Sequence, residues 1–108
     1  MKLSIITATY NSESTIGSCI KSVVQQSYDS IEYVIVDGNS SDGTLAIVKQ
    51  YQLNHPNVVF KIVSEPDKGI YDALNKGINM ATGDVIGFVH SDDMLASETI
   101  ISKIVAAF

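Results

Sequence analysis

Short apolar runs rich in β-branched residues alternate along this chain with segments of helical periodicity. The apolar runs predict strands over residues 3–9, 31–36, 58–63 and 85–89. The segments that follow them predict a first helix that carries Ile16, Cys19, Ile20, Val23 and Val24 on one face, helices over 44–53 and 70–81, and a last helix from Met94 onward. An alternating order of strands and helices favours a parallel sheet with right-handed crossovers. We therefore predict an α/β, Rossmann-like three-layer fold with a parallel sheet of strand order 3-2-1-4.

Polar residues and glycine between the periodic segments predict where the helices begin and end. Short polar side chains accept hydrogen bonds from the free N–H groups at a helix start. Ser12 or Ser14 is therefore expected to cap the first helix, and Ser41 or Asp42 the second. Gly83 suits the exit of the third helix, where glycine is the favoured residue.

Apolar residues at helical spacing predict which side of a helix is buried. In the third helix the inward face is expected to comprise Ile70, Leu74, Ile78 and Ala81. The single cysteine, Cys19, shares the spacing of the apolar residues around it in the first helix. We expect it to be a buried small hydrophobe rather than a reactive thiol.

Composition restricts the classes of function. The chain has 108 residues, of which 45% are apolar and only 18% charged, so we expect one globular domain. A formal net charge of −5 without a basic cluster argues against nucleic-acid binding, and an anionic ligand would need a mediating cation. A lone cysteine, no apolar run of membrane-spanning length and no signal-peptide layout predict a cytoplasmic protein. Because the apolar pattern reaches Phe108 without a stop signal, we expect the front portion of a longer protein.

Three of the predicted strands run directly into polar residues. The first ends in Thr9, Tyr10 and Asn11, the second in Asp37, and the fourth in residues 90–93, which read H-S-D-D. With strand order 3-2-1-4, the first and fourth strands flank the point where the order reverses, and the second lies beside the first. Ligands of open α/β sheets bind in that crevice. We therefore expect these three groups to line one site.

The adjacent carboxylates of Asp92 and Asp93 have two interpretations. Both could cap the helix that follows, since aspartate stabilises a helix N-terminus. Alternatively, they hold Mg²⁺ or Mn²⁺, because neighbouring carboxylates repel each other unless a cation lies between them. Mg²⁺ binds through one or two carboxylates and completes its shell with waters and substrate phosphates. The metal site is our working hypothesis.

The other candidate residues also have a structural interpretation. Asp37 could be a turn residue that bonds its own backbone, or an acceptor for an imide N–H such as that of uracil, or for guanine. Tyr10 could stack on a base or cover the crevice. Lys68 and Lys76 are the cations expected near this edge, where either could meet a phosphate or be an ordinary surface lysine. The sequence contains no P-loop, no dinucleotide-binding glycine motif and no nucleophile elbow.

Four ordered motifs resemble a known family. The sequence reads S-I-I-T-A-T-Y-N at 4–11, I-V-D-G-N-S-S-D-G-T at 35–44, E-P-D-K-G-I-Y-D-A-L-N-K-G at 65–77 and A-T-G-D-V-I-G-F-V-H-S-D-D at 81–93. Together they look like the nucleotide-binding half of family 2 glycosyltransferases, in the bacterial branch that makes capsule, colanic-acid-like exopolysaccharide or lipopolysaccharide. The resemblance implies the A-type glycosyltransferase fold. It also implies inverting transfer from a nucleoside diphosphate sugar, with a UDP-sugar favoured, to a glycan or lipid-linked acceptor.

The resemblance also assigns roles to residues. Thr9 and Tyr10 would contact the base, and Asp37 would bond its imide. Asp92 would meet the ribose or sugar side, and Asp93 would bind Mn²⁺ or Mg²⁺ on the diphosphate, with Asp92 as the second candidate metal ligand. The full set of residues expected at the nucleotide is Thr9, Tyr10, Asn11, Asp37, Lys68, Lys76, Ser91 and Asp92.

Three positions depart from the pattern of the family. Ala8 stands where many relatives have proline, which would change the stiffness of the loop. His90 stands where many have the first acid of an acidic triplet, so metal binding would rest on Asp92 and Asp93. Leu74 occupies a position that is arginine in many other branches, which removes a diphosphate contact.

In this family the general base and the acceptor site lie in a C-terminal half, beyond Phe108. We therefore expect residues 1–108 to be the nucleotide-sugar-binding N-terminal part, which binds nucleotide weakly without turnover. One alternative is a stand-alone nucleotide-binding or interaction module without catalysis. Another is a sugar nucleotidyltransferase, which needs a glycine-rich, arginine-bearing loop that residues 9–12 do not form. Homodimerisation through the last helix and peripheral membrane association of a full-length enzyme are further expectations.

Overall fold

The computed structural model describes residues 2–26 and 30–91. These residues form four strands and three helices in alternation. In chain order they are β1 (Leu3–Thr9), α1 (Ile16–Val24), β2 (Ile31–Asp37), α2 (Thr44–Asn54), β3 (Val59–Ser64), α3 (Ile70–Met80) and β4 (Val85–Phe88). Where a range was predicted, the bounds agree with it to within one residue, and α1 contains the apolar residues predicted for the first helix. The helix predicted from Met94 lies outside the described residues.

The four strands form one parallel sheet of order β3-β2-β1-β4. Its register pairs Leu3 with Ile31 and with Val85, so the carboxyl ends of β1, β2 and β4 lie along one edge. The predicted α/β class and strand order are confirmed. β1 and β2 are the central strands and are buried almost throughout, as expected for parallel strands covered on both faces.

Helices cover both faces of the sheet and give it two cores. On one face, α1 and α2 pack on the side chains of β1 and β2, and the buried members of that core are Leu3, Ile5, Ile16, Ile20, Val23, Tyr33, Ile35 and Val48. On the other face, Ala73 of α3 packs on Ile6, Val34 and Val36. The three-layer prediction is therefore confirmed. Cys19 is fully buried in α1, also as predicted.

The buried face of α3 differs from the predicted one. Its buried residues are Ala73 and Gly77, whereas Ile70 and Ile78 are 44% and 42% exposed. A Cβ at Gly77 would lie 2.5 Å from Cγ2 of Ile6, so α3 lies too close to β1 for a larger side chain beneath it. The branched side chains are displaced to the flanks of the helix for this reason. Leu74 and Ala81, the other two predicted inward residues, are half-buried against the same core.

The predicted side-chain caps are also wrong in detail. α1 begins after Thr15 without a side-chain cap, and the backbone carbonyl of Ser12, not the hydroxyl of Ser12 or Ser14, accepts the N–H groups of Thr15 and Ile16. α2 has Gly43 at its N-cap, and Asp42 bonds the helix start from one position earlier. Its Oδ1 accepts the N–H of Thr44 at 2.9 Å.

Gly83 is required for close approach rather than for a left-handed turn. α3 ends at Ala81 in an extended conformation. A Cβ at Gly83 would lie 2.5 Å from Oγ of Ser4, and the Gly83 N–H donates to that hydroxyl at 2.9 Å. The glycine thus lets the chain enter β4 against the start of β1.

A buried carboxylate ties the amino edge of the sheet together. Glu32 in β2 is fully buried and bonds the ammonium groups of Lys2 (2.7 Å) and Lys61 (3.1 Å) and the hydroxyl of Thr82 (2.6 Å). Burial raises the pKa of Glu32, but the hydrogen bonds from Lys2, Thr82 and Lys61 outweigh it and lower the pKa to about 2. The cluster lies at the opposite edge of the sheet from the predicted site.

Candidate nucleotide site

The loops that follow β1 and β2 are hydrogen-bonded to each other. The Gly38 N–H donates to the Thr9 carbonyl at 2.9 Å. The Asn11 N–H donates to Oγ of Ser40, and Asn11 Oδ1 accepts the N–H of Ser41, both at 2.8 Å. Asn11 has a φ of +47°, in the left-handed region that asparagine tolerates. The predicted ligand residue Asn11 therefore uses its amide oxygen to hold the two loops together.

A second set of bonds extends this connection to the start of α2. The Ser12 N–H donates to Oγ1 of Thr44 at 2.8 Å. Glu13 Oε2 accepts the N–H of Gly43 at 3.0 Å, and the Glu13 N–H donates to Asp42 at 3.3 Å. The segment after β1 is thus held against the segment after β2 along its length.

Asp37 is a buried carboxylate that organises this edge. Its Oδ2 accepts the Ser40 N–H at 2.9 Å and the Ser64 hydroxyl at 2.7 Å, and its Oδ1 accepts the Ser40 hydroxyl. These bonds match the turn-residue interpretation that the sequence left open. A carboxylate has about four acceptor sites, so three bonds leave one acceptor site unused, on a residue that is 0% exposed. The predicted bond from Asp37 to a base imide stays a prediction.

A pocket of about 270 Å³ lies between the end of β1 and the start of α3. Its lining comprises Ala8, Thr9, Tyr10, Asp67, Gly69, Ile70 and Ala73. The Tyr10 side chain is 61% exposed at its mouth, so an aromatic face is available for stacking. Among the buried side-chain oxygens and nitrogens of residues 2–26 and 30–91, only Oγ1 of Thr9 has no hydrogen-bond partner. An unpartnered buried hydroxyl is costly in a folded protein, so a ligand that offers it a hydrogen bond would be stabilising here.

Asp67 is a pocket residue that sequence reasoning did not single out. Its Oδ1 accepts the Gly69 N–H at 3.1 Å. Its Oδ2 would lie 3.0 Å from a Cβ at Gly38, and Tyr10 Cδ1 would lie 3.3 Å from the same point. Asp67, Gly38 and Tyr10 therefore meet at one side of the pocket. Asp67 lies within the 65–77 motif, but its loop position relative to β1 could not be read from local pattern.

A second, largely apolar pocket of about 250 Å³ adjoins the first along α3 and β4. The two pockets share the lining residues Ala8 and Ile70 and therefore lie side by side, and the two together are called the cleft below. The remaining lining residues are Ile6, Tyr71, Leu74, Phe88, Val89 and His90. Leu74, which stands at a family arginine position, thus faces the cleft, and so does His90.

The two predicted lysines line neither of these pockets. Lys76 Nζ lies 3.2 Å from Glu65 and 3.6 Å from Asp72, and donates to the Pro66 carbonyl at 3.0 Å. Partial burial lowers the pKa of Lys76, but the carboxylates of Glu65 and Asp72 raise it more, so it lies above its usual value. Lys68 is exposed and donates its backbone N–H to Asp72. Phosphate contacts by either lysine stay predictions.

The ends of β1 and β4 converge as predicted. Oγ of Ser12 and Oγ of Ser91 lie 3.2 Å apart, although 79 positions separate them in sequence. Asp92 and Asp93 follow immediately but lie outside the described residues, so the predicted metal site stays a prediction. In the part of the chain that is described, no group of three His, Cys, Asp or Glu side chains could hold a metal ion.

Comparison with protein-family models matches residues 4–108 to glycosyl transferase family 2. The chain belongs to that family. Among curated relatives, a PGL/p-HBAD biosynthesis glycosyltransferase of Mycobacterium tuberculosis is 33% identical over 105 residues, covering 95% of this chain and 40% of the relative. The putative glycosyltransferase EpsE of Bacillus subtilis is 37% identical over 93 residues, covering 86% of this chain and 34% of EpsE.

Solved structures of glycosyltransferases share the fold. S. aureus TarS 1-349 in complex with UDP-GlcNAc superposes with a TM-score of 0.88 at 31% identity, covering 98% of this chain and 30% of that one. The mannosyltransferase PcManGT from Pyrobaculum calidifontis, in complex with GDP-Man and Mn²⁺, has a TM-score of 0.85 at 29% identity, covering 90% of this chain and 29% of that one.

The family 2 chain described here has the A-type glycosyltransferase fold in its described residues, as the sequence predicted. It spans about a third of the length of the relatives it matches. Within the described residues, no helix has the length and apolar character needed to cross a membrane.

Proposed function

We propose that this chain binds a nucleoside diphosphate sugar in the cleft between β1 and α3 and forms the donor-binding part of a hexosyltransferase. The observation that carries the proposal is the buried Thr9 hydroxyl, which has no hydrogen-bond partner within residues 2–26 and 30–91. Thr9 lines a pocket beside an exposed aromatic ring and a carboxylate. That combination suits a nucleoside, whose base has a flat face and N–H and carbonyl groups at its edge. UDP-GlcNAc and GDP-Man are the nucleotide sugars bound in the two solved relatives named above.

Different residues along the cleft contact different parts of the donor. Tyr10 stacks on the base, while Thr9 and Asp37 contact its polar edge, and Asp67 supplies a second carboxylate at the same end. Ser91 and Asp92 meet the ribose and sugar side, because they follow β4, whose end lies beside β1. A uracil imide and a guanine amide both donate N–H groups to a carboxylate, so these residues do not distinguish the two bases. A UDP-sugar is favoured only because of the family resemblance.

The diphosphate is the part of the donor that most needs a positive charge beside it. With a net charge of −5, the chain repels a diphosphate unless a cation mediates. Asp93 and Asp92 are adjacent hard-oxygen donors of the type Mg²⁺ and Mn²⁺ prefer, and PcManGT was solved with Mn²⁺. A metal held there would stabilise the negative charge on the departing diphosphate.

Catalysis and acceptor binding belong to the wider proposal. We propose inversion at the anomeric carbon with a glycan or lipid-linked acceptor, and a general base that lies beyond Phe108. On this proposal residues 1–108 bind nucleotide without transferring sugar. We also propose a cytoplasmic location, with peripheral membrane association of the full-length enzyme.

Thermal unfolding of the 108-residue chain with UDP, in Mn²⁺ or in EDTA, tests the donor site. Ligand at about 100 times its dissociation constant adds roughly 2.7 kcal/mol, which raises the Tm of a domain of this size by on the order of 10 °C. We expect the larger rise to require both UDP and Mn²⁺ and to disappear in Asp93→Asn.

Asp84→Asn is the matched control. Asp84 accepts the Lys2 N–H at the opposite end of β4 and loses the same charge on substitution. This variant should lower the Tm slightly but keep the full ligand-induced rise. The proposal is wrong if neither UDP, GDP nor dTDP raises the Tm of the unmodified chain. Transfer of a sugar by the purified chain would overturn the proposed lack of turnover.

A further inference from the structure

Two side-chain hydrogen bonds hold the end of β4 onto the unit formed by β1 and α1. The Cys19 thiol donates to the backbone carbonyl of His90 at 3.2 Å. The Ser12 and Ser91 hydroxyls lie 3.2 Å apart. Neither Ser12 nor Cys19 lines the cleft, and neither was a predicted site residue. Both nevertheless contact the two residues that precede Asp92 and Asp93.

The Cys19 thiol is the outer member of a buried polar cluster. Oγ1 of Thr7 and the Tyr33 hydroxyl are 2.9 Å apart, and the Cys19 sulfur lies 3.6 Å from the Tyr33 hydroxyl and 3.9 Å from Thr7. The pKa of Tyr33 is raised well above its usual value, mainly by burial and to a smaller extent by the neighbouring Cys19. The phenol therefore stays protonated. The cluster therefore links the centre of β1 and β2 to the carbonyl at the end of β4.

The donor and the acceptor in the hydrogen bond between Ser12 and Ser91 can be assigned. It donates its single proton to the Tyr10 carbonyl at 3.1 Å, so in the bond between the two serines the Ser91 hydroxyl is the donor. The Ser12 backbone is itself held by the bond from its N–H to Thr44. One hydroxyl thus connects Tyr10, at the base end of the proposed ligand, with Ser91, at its ribose and sugar side.

We propose that Cys19 and Ser12 are positioning residues that fix the carbonyl of His90 and the hydroxyl of Ser91. His90 and Ser91 directly precede in sequence the two carboxylates, Asp92 and Asp93, to which the proposed function assigns the metal. This inference rests on the proposed function. A displacement of a binding group by a fraction of an ångström weakens the contacts it makes, so loss of either bond should affect the metal-dependent part of nucleotide binding most.

The experiment compares the Kd of UDP in Mn²⁺ with its Kd in EDTA, by calorimetry at a temperature where circular dichroism shows every variant folded. Cys19→Ala and Ser12→Ala should each raise the Kd in Mn²⁺ by roughly fivefold, the worth of about one hydrogen bond. The Kd in EDTA should stay within about twofold. Cys19→Ser restores a donor to the His90 carbonyl and should recover most of the metal-dependent gain.

Val23→Ala is the matched control, because Val23 is equally buried on the same helix and belongs to the core between α1 and the sheet. It should lower the Tm at least as much as Cys19→Ala yet leave the ratio of the two Kd values unchanged. Ser12 lies in the loop between β1 and α1, so its substitution by alanine should not prevent folding. If Cys19→Ala does not fold, Ser12→Ala still tests the inference.

Two outcomes overturn the inference, and they are distinguishable. If the unmodified chain gains affinity from Mn²⁺ but Cys19→Ala and Ser12→Ala keep the same ratio of Kd values, the positioning role is wrong while the donor site stands. If the unmodified chain binds UDP no better in Mn²⁺ than in EDTA, the proposed metal-assisted function fails and the inference with it.

Discussion

Gly77 of α3 lies directly over Ile6 of β1, and the Cβ that glycine lacks would be 2.5 Å from Cγ2 of that isoleucine. Because Ile6 is fully buried in the central strand, it has little room to move. This contact sets the distance between α3 and the sheet. It also sets the width of the cleft, since Ile6 and the α3 residues Ile70 and Leu74 line one of its two pockets.

Gly77→Ala is expected to destabilise the chain although alanine favours helix. The gain in helix propensity is about 1 kcal/mol, whereas overpacking a core typically costs about 1–3 kcal/mol. Gly17→Ala in α1 is the matched control, because a Cβ there would meet its nearest atoms at 3.7 Å. It should be neutral or stabilising. Urea unfolding measures both, and equal effects at the two positions would contradict the close contact.

Thr9→Val is expected to weaken nucleotide binding without destabilising the fold. Valine keeps the shape of the side chain and removes a buried hydroxyl that has no partner in the described residues, so the free energy of unfolding should stay equal or rise. The affinity for UDP should fall by about five- to tenfold if that hydroxyl bonds the nucleotide.

Ser4→Ala is the control for that substitution, on the same strand. Its hydroxyl accepts the Gly83 N–H at the opposite edge of the sheet, so its loss should lower stability by about 1 kcal/mol and leave affinity unchanged. A Thr9→Val chain that is destabilised yet binds UDP normally would show that the hydroxyl serves the fold.

The Glu32 cluster predicts a specific acid sensitivity. Folding lowers the pKa of Glu32 from 4.5 to about 2, so its contribution is complete above pH 4.5 and is lost as the pH falls through 2. Glu32→Gln should therefore be less stable than the unmodified chain at neutral pH, by on the order of 2 kcal/mol. The difference should shrink as the pH approaches 2.

Urea unfolding across this pH range tests the effect. Glu65→Gln is the control, because Glu65 forms an exposed ion pair with Lys76, and such pairs contribute about 0–1 kcal/mol. Its effect should be small at every pH. A Glu32→Gln deficit that does not change between neutral pH and pH 2 would rule out the charge of Glu32 as its cause.

Leu74→Arg should make nucleotide binding less dependent on metal. Leu74 lies in the cleft near Phe88 and His90, where a guanidinium could meet the diphosphate of a bound nucleotide. We expect the Kd of UDP in EDTA to fall by about tenfold, since a charge-assisted hydrogen bond contributes roughly 1.5–3 kcal/mol. Leu74→Met, which keeps the apolar volume without a charge, should leave that Kd unchanged. Equal behaviour of the two variants would place Leu74 away from the diphosphate.

Much of the architecture could be predicted from sequence because its signals are local. The apolar runs of β1 and β2 and the helical periodicity between strands gave the element order, and right-handed crossovers then limited the strand order. The polar residues at the ends of β1, β2 and β4 followed from the same pattern, and Ser12 and Ser91 meet at that edge. Four short motifs in the correct order indicated the family.

The tertiary structure decided what depends on distance between remote positions. Periodicity favoured Ile70 and Ile78 as the buried face of α3, but the close approach of the helix to Ile6 admits only Ala73 and Gly77 beneath it.

The same holds for the cleft. No local pattern indicates that Asp67 approaches Gly38 and Tyr10, or that the Cys19 thiol reaches the carbonyl of His90. Nor does any indicate that the Thr9 hydroxyl finds no partner in the described part of the chain. The sequence by itself determined the elements, their order and the edge that carries the site, because each of these follows from the spacing of neighbouring residues. Only the packed structure decided which side chains meet there, because that depends on how closely α1 and α3 settle on the sheet.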